Sequence, residues 1–249
     1  MTRHVTRMSI EDAGHISPER RAEIIAAYPI HEREARVKGM PALGSGRVFP
    51  VSQDDIQIEP FEIPAHFAQI GGIDFGYDHP TAAVKLSHDR DNDTVIVSAC
   101  YRVKEQPPLV HAAALKGWGP IPFAWPHDAY RRMTTGSNVG MTLKAEYENH
   151  GLNMLPEKAS FEDGGNGVEP GLMMMLERMM SGRLKVFSNC LDWFDEFRHY
   201  HRKNGVVVDK VDDLMDATRY ALMMLRFAET RAESSSAHNF AQPDNSWVV

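Results

Sequence analysis

Three consecutive runs, AQIGGIDFG, TAAVKLSHD and TVIVSACYRV, are short, apolar and rich in β-branched residues, and the turn-rich strings YDHP and RDND divide them. Runs of this kind predict an antiparallel meander of three strands. The rhythm then changes. PPLVHAAALKGW predicts a helix begun by proline, IPFAWPHD a strand, and SNVGMTLKAEYENHG a helix closed by glycine. After these, GVEPGLMMMLERMMSG predicts a helix, RLKVF a strand, LDWFDEFRHYHRKNG a helix, VVVD a strand, and DDLMDATRYALMMLRFAE a long final helix. Three adjacent strands followed by α/β alternation constrain the chain to an α/β fold. The expected architecture is a mixed sheet, antiparallel at first, then extended by crossover-connected strands and flanked by helices.

A chain of 249 residues is long enough for one large core. With 43% hydrophobic and 24% charged residues, collagen-like and wholly disordered readings are excluded. No apolar stretch approaches the roughly 20 residues that cross a bilayer, and MTRHVTRMSIEDAGHI lacks the apolar centre of a signal peptide, so a soluble intracellular protein with no membrane partner is expected. Cys100 and Cys190 are too few for a disulfide framework or a four-cysteine zinc site, and both are expected in the core. A balance of 27 Lys and Arg against 34 Asp and Glu argues against gripping nucleic acid by bulk positive charge. Residues 1–66 read as an arm or linker containing one helix from Ser17 to Ala27, residues 67–228 as the globular domain, and residues 229–249 as a mobile polar tail. Gly39 to Arg47 superficially matches a phosphate-binding loop, but Ser45 stands where the lysine is required and no strand precedes it, so no ATPase site is assigned.

Three acidic positions stand out. Asp74 interrupts an apolar strand, where a carboxylate is costly unless paired or bound to a cation, and glycines beside it clear space for a close approach. Asp128 falls at the C-terminal end of IPFAWPHD, the edge of an α/β sheet where ligands bind. In VDDLMDATRY, Asp212, Asp213 and Asp216 open a helix at spacings that put two acids on one face. Taken singly, these acids read better as a turn residue, a helix cap and helix N-terminal charges. Their conjunction in one mixed sheet points instead to a shared site. Crowded carboxylates raise one another's pKa, a divalent cation relieves that, and oxygen ligands favour Mg²⁺ or Mn²⁺ over zinc. Two such ions suit phosphodiester hydrolysis.

GGIDFGYDHPTAAV, the strand-end WPHD, and GRLKVF with WFDEFRHYHRKNGVVVDKVDDLMDATRYALMM together resemble the C-terminal nuclease domain of the large terminase subunit of tailed bacteriophages, over residues 28–228. The resemblance implies a ribonuclease H-like fold and a metal-dependent endonuclease that cuts double-stranded DNA during genome packaging. It implies Asp74, Asp128 and Asp213 as the catalytic acids, Asp212 as the alternative within the final pair, and Asp78 and Asp216 as auxiliary acids. It further implies portal protein, small terminase subunit and an ATPase motor as partners, with action in the host cytoplasm at the procapsid portal. Two departures stand against the family pattern. Val211 replaces the histidine that often opens the closing motif, and no ATPase motif is present, so a nuclease fragment, a split gene product or a prophage remnant is expected.

Arg131, Arg132, Arg198, Arg202 and Lys203 are candidate phosphate contacts, each also readable as solvated surface charge. His199 and His201, two apart on an expected helix, face different ways. Backbone contacts carry little sequence information, so weak sequence preference is expected. Alternative readings are a junction resolvase or transposase-like nuclease on the same fold, and a docking module for portal or motor whose acids serve structure alone.

Overall fold

The computed structural model describes residue 10 and residues 14–27, 46–130, 140–203, 206–208 and 212–230. Helix α1 (Pro18–Ala27) begins where the SPER pattern placed it. The meander consists of β2 (Ala68–Asp74), β3 (Thr81–Asp89) and β4 (Thr94–Val103), antiparallel throughout. Its register puts Asp74 opposite Ala82 and Ala82 opposite Arg102, so these three residues share one face of the sheet. Beyond β2, β5 (Pro122–Ala124) runs parallel to it and β6 (Asn153–Met154) runs parallel to β5. Beyond β4 lies β7 (Leu184–Phe187), also parallel to its neighbour. The sheet order is therefore β7-β4-β3-β2-β5-β6, an antiparallel centre with parallel wings.

Three helices cover the Asp74 face. The final helix α7 (Asp213–Met223) lies against β2 and β3, flanked by α5 (Val168–Met180) and α6 (Leu191–His199). It buries Leu214, Met215, Ala217, Ala221 and Leu222. The opposite face carries α3 (Pro108–Lys116), whose His111 meets Tyr101, and α4 (Leu143–Asn149), whose Tyr147 packs on Phe75 at 4.9 Å between ring centroids. The methionine-rich stretch is α5, with Met175 and Met179 buried, as a core-packing helix requires. Of the two cysteines, Cys190 is buried and Cys100 half-buried.

The structure departs from the sequence reading in several places. First, residues 46–66 include the strand β1 (Gln57–Ile58), which pairs parallel to β7, and the short helix α2 (Gln53–Ile56). Val48, Phe49, Val51 and Ile56 are buried, and Phe49 stacks on Phe197 at 6.1 Å. Burying one such ring contributes roughly 1.5–3 kcal/mol, so this stretch is folded onto the domain and is not a detached arm. Second, α6 stops at His199, because Tyr200 turns extended (ψ 112°) and buries its ring. Third, VVVD contributes only β9 (Val206–Val207), paired with β8 (Arg202–Lys203) in a separate ribbon outside the main sheet. Within the stretch read as a tail, β10 (Glu229–Thr230) pairs with the start of β2, and residues 231–249 lie outside the described residues.

Candidate active site

The site is built by one close approach. A Cβ on Gly72 would run into the carbonyl oxygen of Ala217, so the absent side chain is what lets α7 lie directly on β2. The space the glycines clear is thus filled by the protein itself: α7 on one face and the Phe123 ring against Gly71 on the other. Side chains alternate along a strand, so Asp74, two residues on, projects from the Gly72 face. One turn back along α7 from Ala217 is Asp213, the first residue of the helix and nearly fully buried. The two acids meet. Carboxylate oxygens of Asp74 and Asp213 and a ring nitrogen of His79 all lie within 4.8 Å of one another.

Asp128 reaches the same sheet edge by another route. Because β5 runs parallel to β2, the C-terminal ends of both strands open on one side, and Asp128 sits just past β5 in the 3-10 turn His127–Tyr130. Its Oδ1 is buried and has no hydrogen-bond partner among the described residues. Burial pushes the Asp74 carboxyl well above the ordinary aspartate value, and the charges of Asp216, Asp213, Asp128 and Asp212 push in the same direction. Asp128 is not in the group within 4.8 Å and bears on Asp74 through its charge, but a buried carboxylate oxygen without a partner and a carboxyl crowded by four other charges are each what a divalent cation relieves, and oxygen-rich donors suit a hard cation.

The remaining sequence candidates take other places. Asp216 gives both carboxylate oxygens to neighbours: Oδ2 accepts from Arg219 Nη2 at 2.7 Å and from Tyr220 Oη at 3.1 Å, and Oδ1 from Arg219 Nε at 3.3 Å. Arg219 is itself buried, its stem filling the space that a side chain at Gly171 would need. Asp216 thus bears on Asp74 through its charge, while its oxygens serve Arg219. Asp212 precedes α7, its carbonyl accepting from Asp216 N–H at 2.7 Å. Asp78 is exposed on the loop between β2 and β3. Arg202 is paired to Glu169 by two bonds of 2.5 and 2.7 Å, and Arg198 contacts Gln53 and Asp195. Lys203 is exposed in β8, and His201 sits in a bridge to Arg47 where a helix was expected. Arg131 and Arg132 lie outside the described residues.

Three further side chains border the acids, none of them singled out by the sequence. His79 Nδ1 stands 2.9 Å from Asp213 Oδ1. Arg102, opposite Ala82 in register, reaches over that face until its Nη2 is 3.8 Å from Asp213 Oδ2. Glu196 of α6 is fully buried, 2.8 Å from Arg102 Nε in a charge contact not aligned as a hydrogen bond. Its other oxygen accepts from Leu214 N–H at 2.7 Å, satisfying a free amide at the start of α7. Burial raises the Glu196 carboxyl from 4.5 to about 7 against the opposing pull of the Leu214 amide and Arg102. Trp193 Nε1 donates to Thr218 Oγ1 at 2.9 Å, adding a second tie between α6 and α7.

An antiparallel three-strand centre, parallel wings, and acids gathered from two strand ends and a final helix define a ribonuclease H-like domain. Comparison with known proteins agrees. A family model described as the terminase RNaseH-like domain matches residues 71–225, and one for the N-terminal part of T4-like terminase large subunits matches residues 1–55. The chain belongs to the terminase RNaseH-like domain family. It is 45% identical over 226 residues to the large terminase subunit of Salmonella phage P22, covering 90% of this chain and 45% of that protein. The chain therefore spans less than half the length of the curated relatives it matches. The P22 large terminase nuclease domain superposes with a TM-score of 0.70 at 43% identity, covering 76% of this chain and 96% of that one. The fold also matches the large terminase nuclease domain of bacteriophage SPP1 with bound Mn, at a TM-score of 0.52 and 21% identity over 69% of this chain and 97% of that one.

Proposed function

We propose that this chain is a divalent-metal-dependent endonuclease that cleaves double-stranded phage DNA during genome packaging. The observation that carries the reading is the meeting of Asp74 and Asp213, from a central strand and the last long helix, with donor atoms within 4.8 Å. Asp74, Asp213 and Asp128 would hold Mg²⁺ or Mn²⁺, with two ions as the working number; the related SPP1 domain carries Mn. Bound there, the cations would supply Lewis acidity and a water of lowered pKa for hydrolysis at phosphorus. The protein's own part is to fix the acids. Gly72 sets the depth of α7, Glu196 holds its first turn, and Arg102 limits the repulsion around Asp213.

Contacts made to the phosphate backbone through bound cations carry little base information, which supports weak sequence preference. The neighbours expected from the family, an ATPase motor, the portal and the small terminase subunit, are part of the same reading, as is action in the host cytoplasm. Among the described residues no helix is long and apolar enough to cross a membrane. The packing of residues 46–58 onto the domain supports reading the nuclease unit as starting near Gly46, with the preceding residues as the link towards a motor.

Plasmid nicking in Mn²⁺ tests the proposal. Wild type should convert supercoiled to open-circular and linear DNA, and Asp74→Ala and Asp128→Ala should each reduce the rate by at least about a hundredfold, the scale of lost charge stabilisation at a reacting centre. Nicking that survives unchanged in both variants, or that no divalent ion elicits, refutes it.

A further inference from the structure

We infer that His79 is a nitrogen ligand of the cation site and sets its preference for Mn²⁺ over Mg²⁺. The inference rests on the reading that Asp74 and Asp213 hold a divalent ion. Its basis is geometric. Octahedral donors about 2.1 Å from a cation lie about 3 Å apart when adjacent and about 4 Å apart when opposite. His79 Nδ1 and Asp213 Oδ1 are 2.9 Å apart, and with an Asp74 oxygen the whole set falls within 4.8 Å. One coordination sphere accommodates all three.

The loop that carries His79 is built to hold it there. Thr81, almost wholly buried, donates its hydroxyl to Gly76 O at 2.8 Å, and Gly76 N–H donates back to Thr81 Oγ1 at 3.2 Å. These two bonds close the turn on either side of His79. Gly76 has no room for a Cβ, because the His79 and Pro80 carbonyls and the imidazole itself occupy that space. Pro80 confines His79 to extended backbone. The backbone is fixed, while the ring remains 58% exposed, as a donor that must admit a hydrated ion from solvent would be.

A surface histidine merely paired to a carboxylate would contribute little and would require no such clamp. Imidazole also changes the chemistry. Mg²⁺ is a hard ion that favours oxygen and keeps its waters, whereas later first-row ions accept nitrogen readily, in rising order from Mn²⁺ to Co²⁺. A carboxylate-only site lacks that bias.

The test uses the full chain without DNA, so it reads metal binding apart from cleavage. Mn²⁺-loaded wild type should show imidazole ¹⁴N coupling in pulsed electron paramagnetic resonance. His79→Asn, which keeps an amide N–H near the Nδ1 position but has no ring nitrogen, should lose that coupling. Calorimetry should find its Mn²⁺ affinity reduced by at least about tenfold, the lower end of what even a residue supporting a metal ligand costs, with Mg²⁺ affinity changed far less. Asp74→Ala serves as the separate control on the carboxylate site. If wild type binds Mn²⁺, Asp74→Ala abolishes it, and no nitrogen coupling appears, the role of His79 is refuted while the proposed function stands. If wild type binds no Mn²⁺, both fall. Equal losses of Mn²⁺ and Mg²⁺ in His79→Asn would also overturn the inference, because they would mark an orienting contact to Asp213 only.

Discussion

Asp74→Asn should make the metal-free protein more stable while removing its response to Mn²⁺. The magnitude follows from the crowding. Two unit charges 4.8 Å apart, the outer bound for the Asp74 and Asp213 donor atoms, repel by about 3 kcal/mol at an effective dielectric of ~20. Arg102, 3.8 Å from Asp213, offsets part of this, so a net gain of about 1–3 kcal/mol is expected from neutralising Asp74 at high pH. In a domain of this size that is a rise of roughly 3–10 °C in Tm. The pH dependence fixes the sign. The folded-state pKa of Asp74 is raised, so wild type keeps the stability from its protonated form below about pH 4 and loses it as pH rises through the raised value. Asparagine does not titrate. The advantage of the variant should therefore be near zero at low pH and grow as pH increases. Thermal and urea unfolding in EDTA from pH 5 to pH 9 measure it. With Mn²⁺ at a hundredfold excess over its Kd, wild type should gain about 2.7 kcal/mol, and the variant almost none. A variant no more stable than wild type in EDTA at pH 9, or a difference that does not change with pH, would refute the account of the site as carboxylates strained for want of a cation.

Two further outcomes probe the supports of the site. Glu196→Gln should remove one part of the decline of metal-free stability with pH, leaving the part due to Asp74. The wild-type carboxyl is raised from 4.5 to about 7, so its contribution, roughly 3 kcal/mol, is present below pH 4.5 and lost as pH passes 7, and urea unfolding at pH 5 and pH 8 should find a larger decline in wild type than in the variant. Gly72→Ala should destabilise by about 1–3 kcal/mol or more and weaken Mn²⁺ binding, because the new methyl meets the backbone carbonyl of Ala217, which cannot yield without moving α7 and Asp213. Gly71→Ala, whose methyl meets the Phe123 ring and not α7, should also destabilise but leave Mn²⁺ affinity nearly unchanged, as calorimetry would show.

What was legible in the sequence depended on local period, and what was not depended on register. Asp74 and Asp128 could be read because a charge inside or at the end of an apolar strand is anomalous within its own few residues. The meander and the long helices were legible for the same reason. A two-residue strand such as Gln57–Ile58 has no period to detect, so the stretch from Val48 to Ile58 looked like an arm although Phe49 and Ile56 enter the core. The end of α6 was misplaced because the burial of Tyr200 overrode the continuing helical pattern. His79 was hidden in YDHP, where ordinary turn chemistry accounts for every residue, and the histidines that drew attention, His199 and His201, lie outside the group that gathers Asp74, His79 and Asp213.

Arg102 and Glu196 show most sharply what a single chain withholds. An arginine ending a strand and a glutamate on an amphipathic helix are ordinary surface residues by composition. Arg102 faces the acids only because β4 pairs with β3 in the register that sets it opposite Ala82, itself opposite Asp74. A shift of one residue would send it to the other face, with Tyr101 and His111. Glu196 meets Leu214 only because α7 lies at the depth Gly72 allows. The acids of the site are thus written locally, while the groups that make those acids tolerable to the fold are fixed by strand register and helix depth. A substitution that shifts β4 by one residue should therefore disable the site while leaving Asp74, Asp128 and Asp213 in the chain.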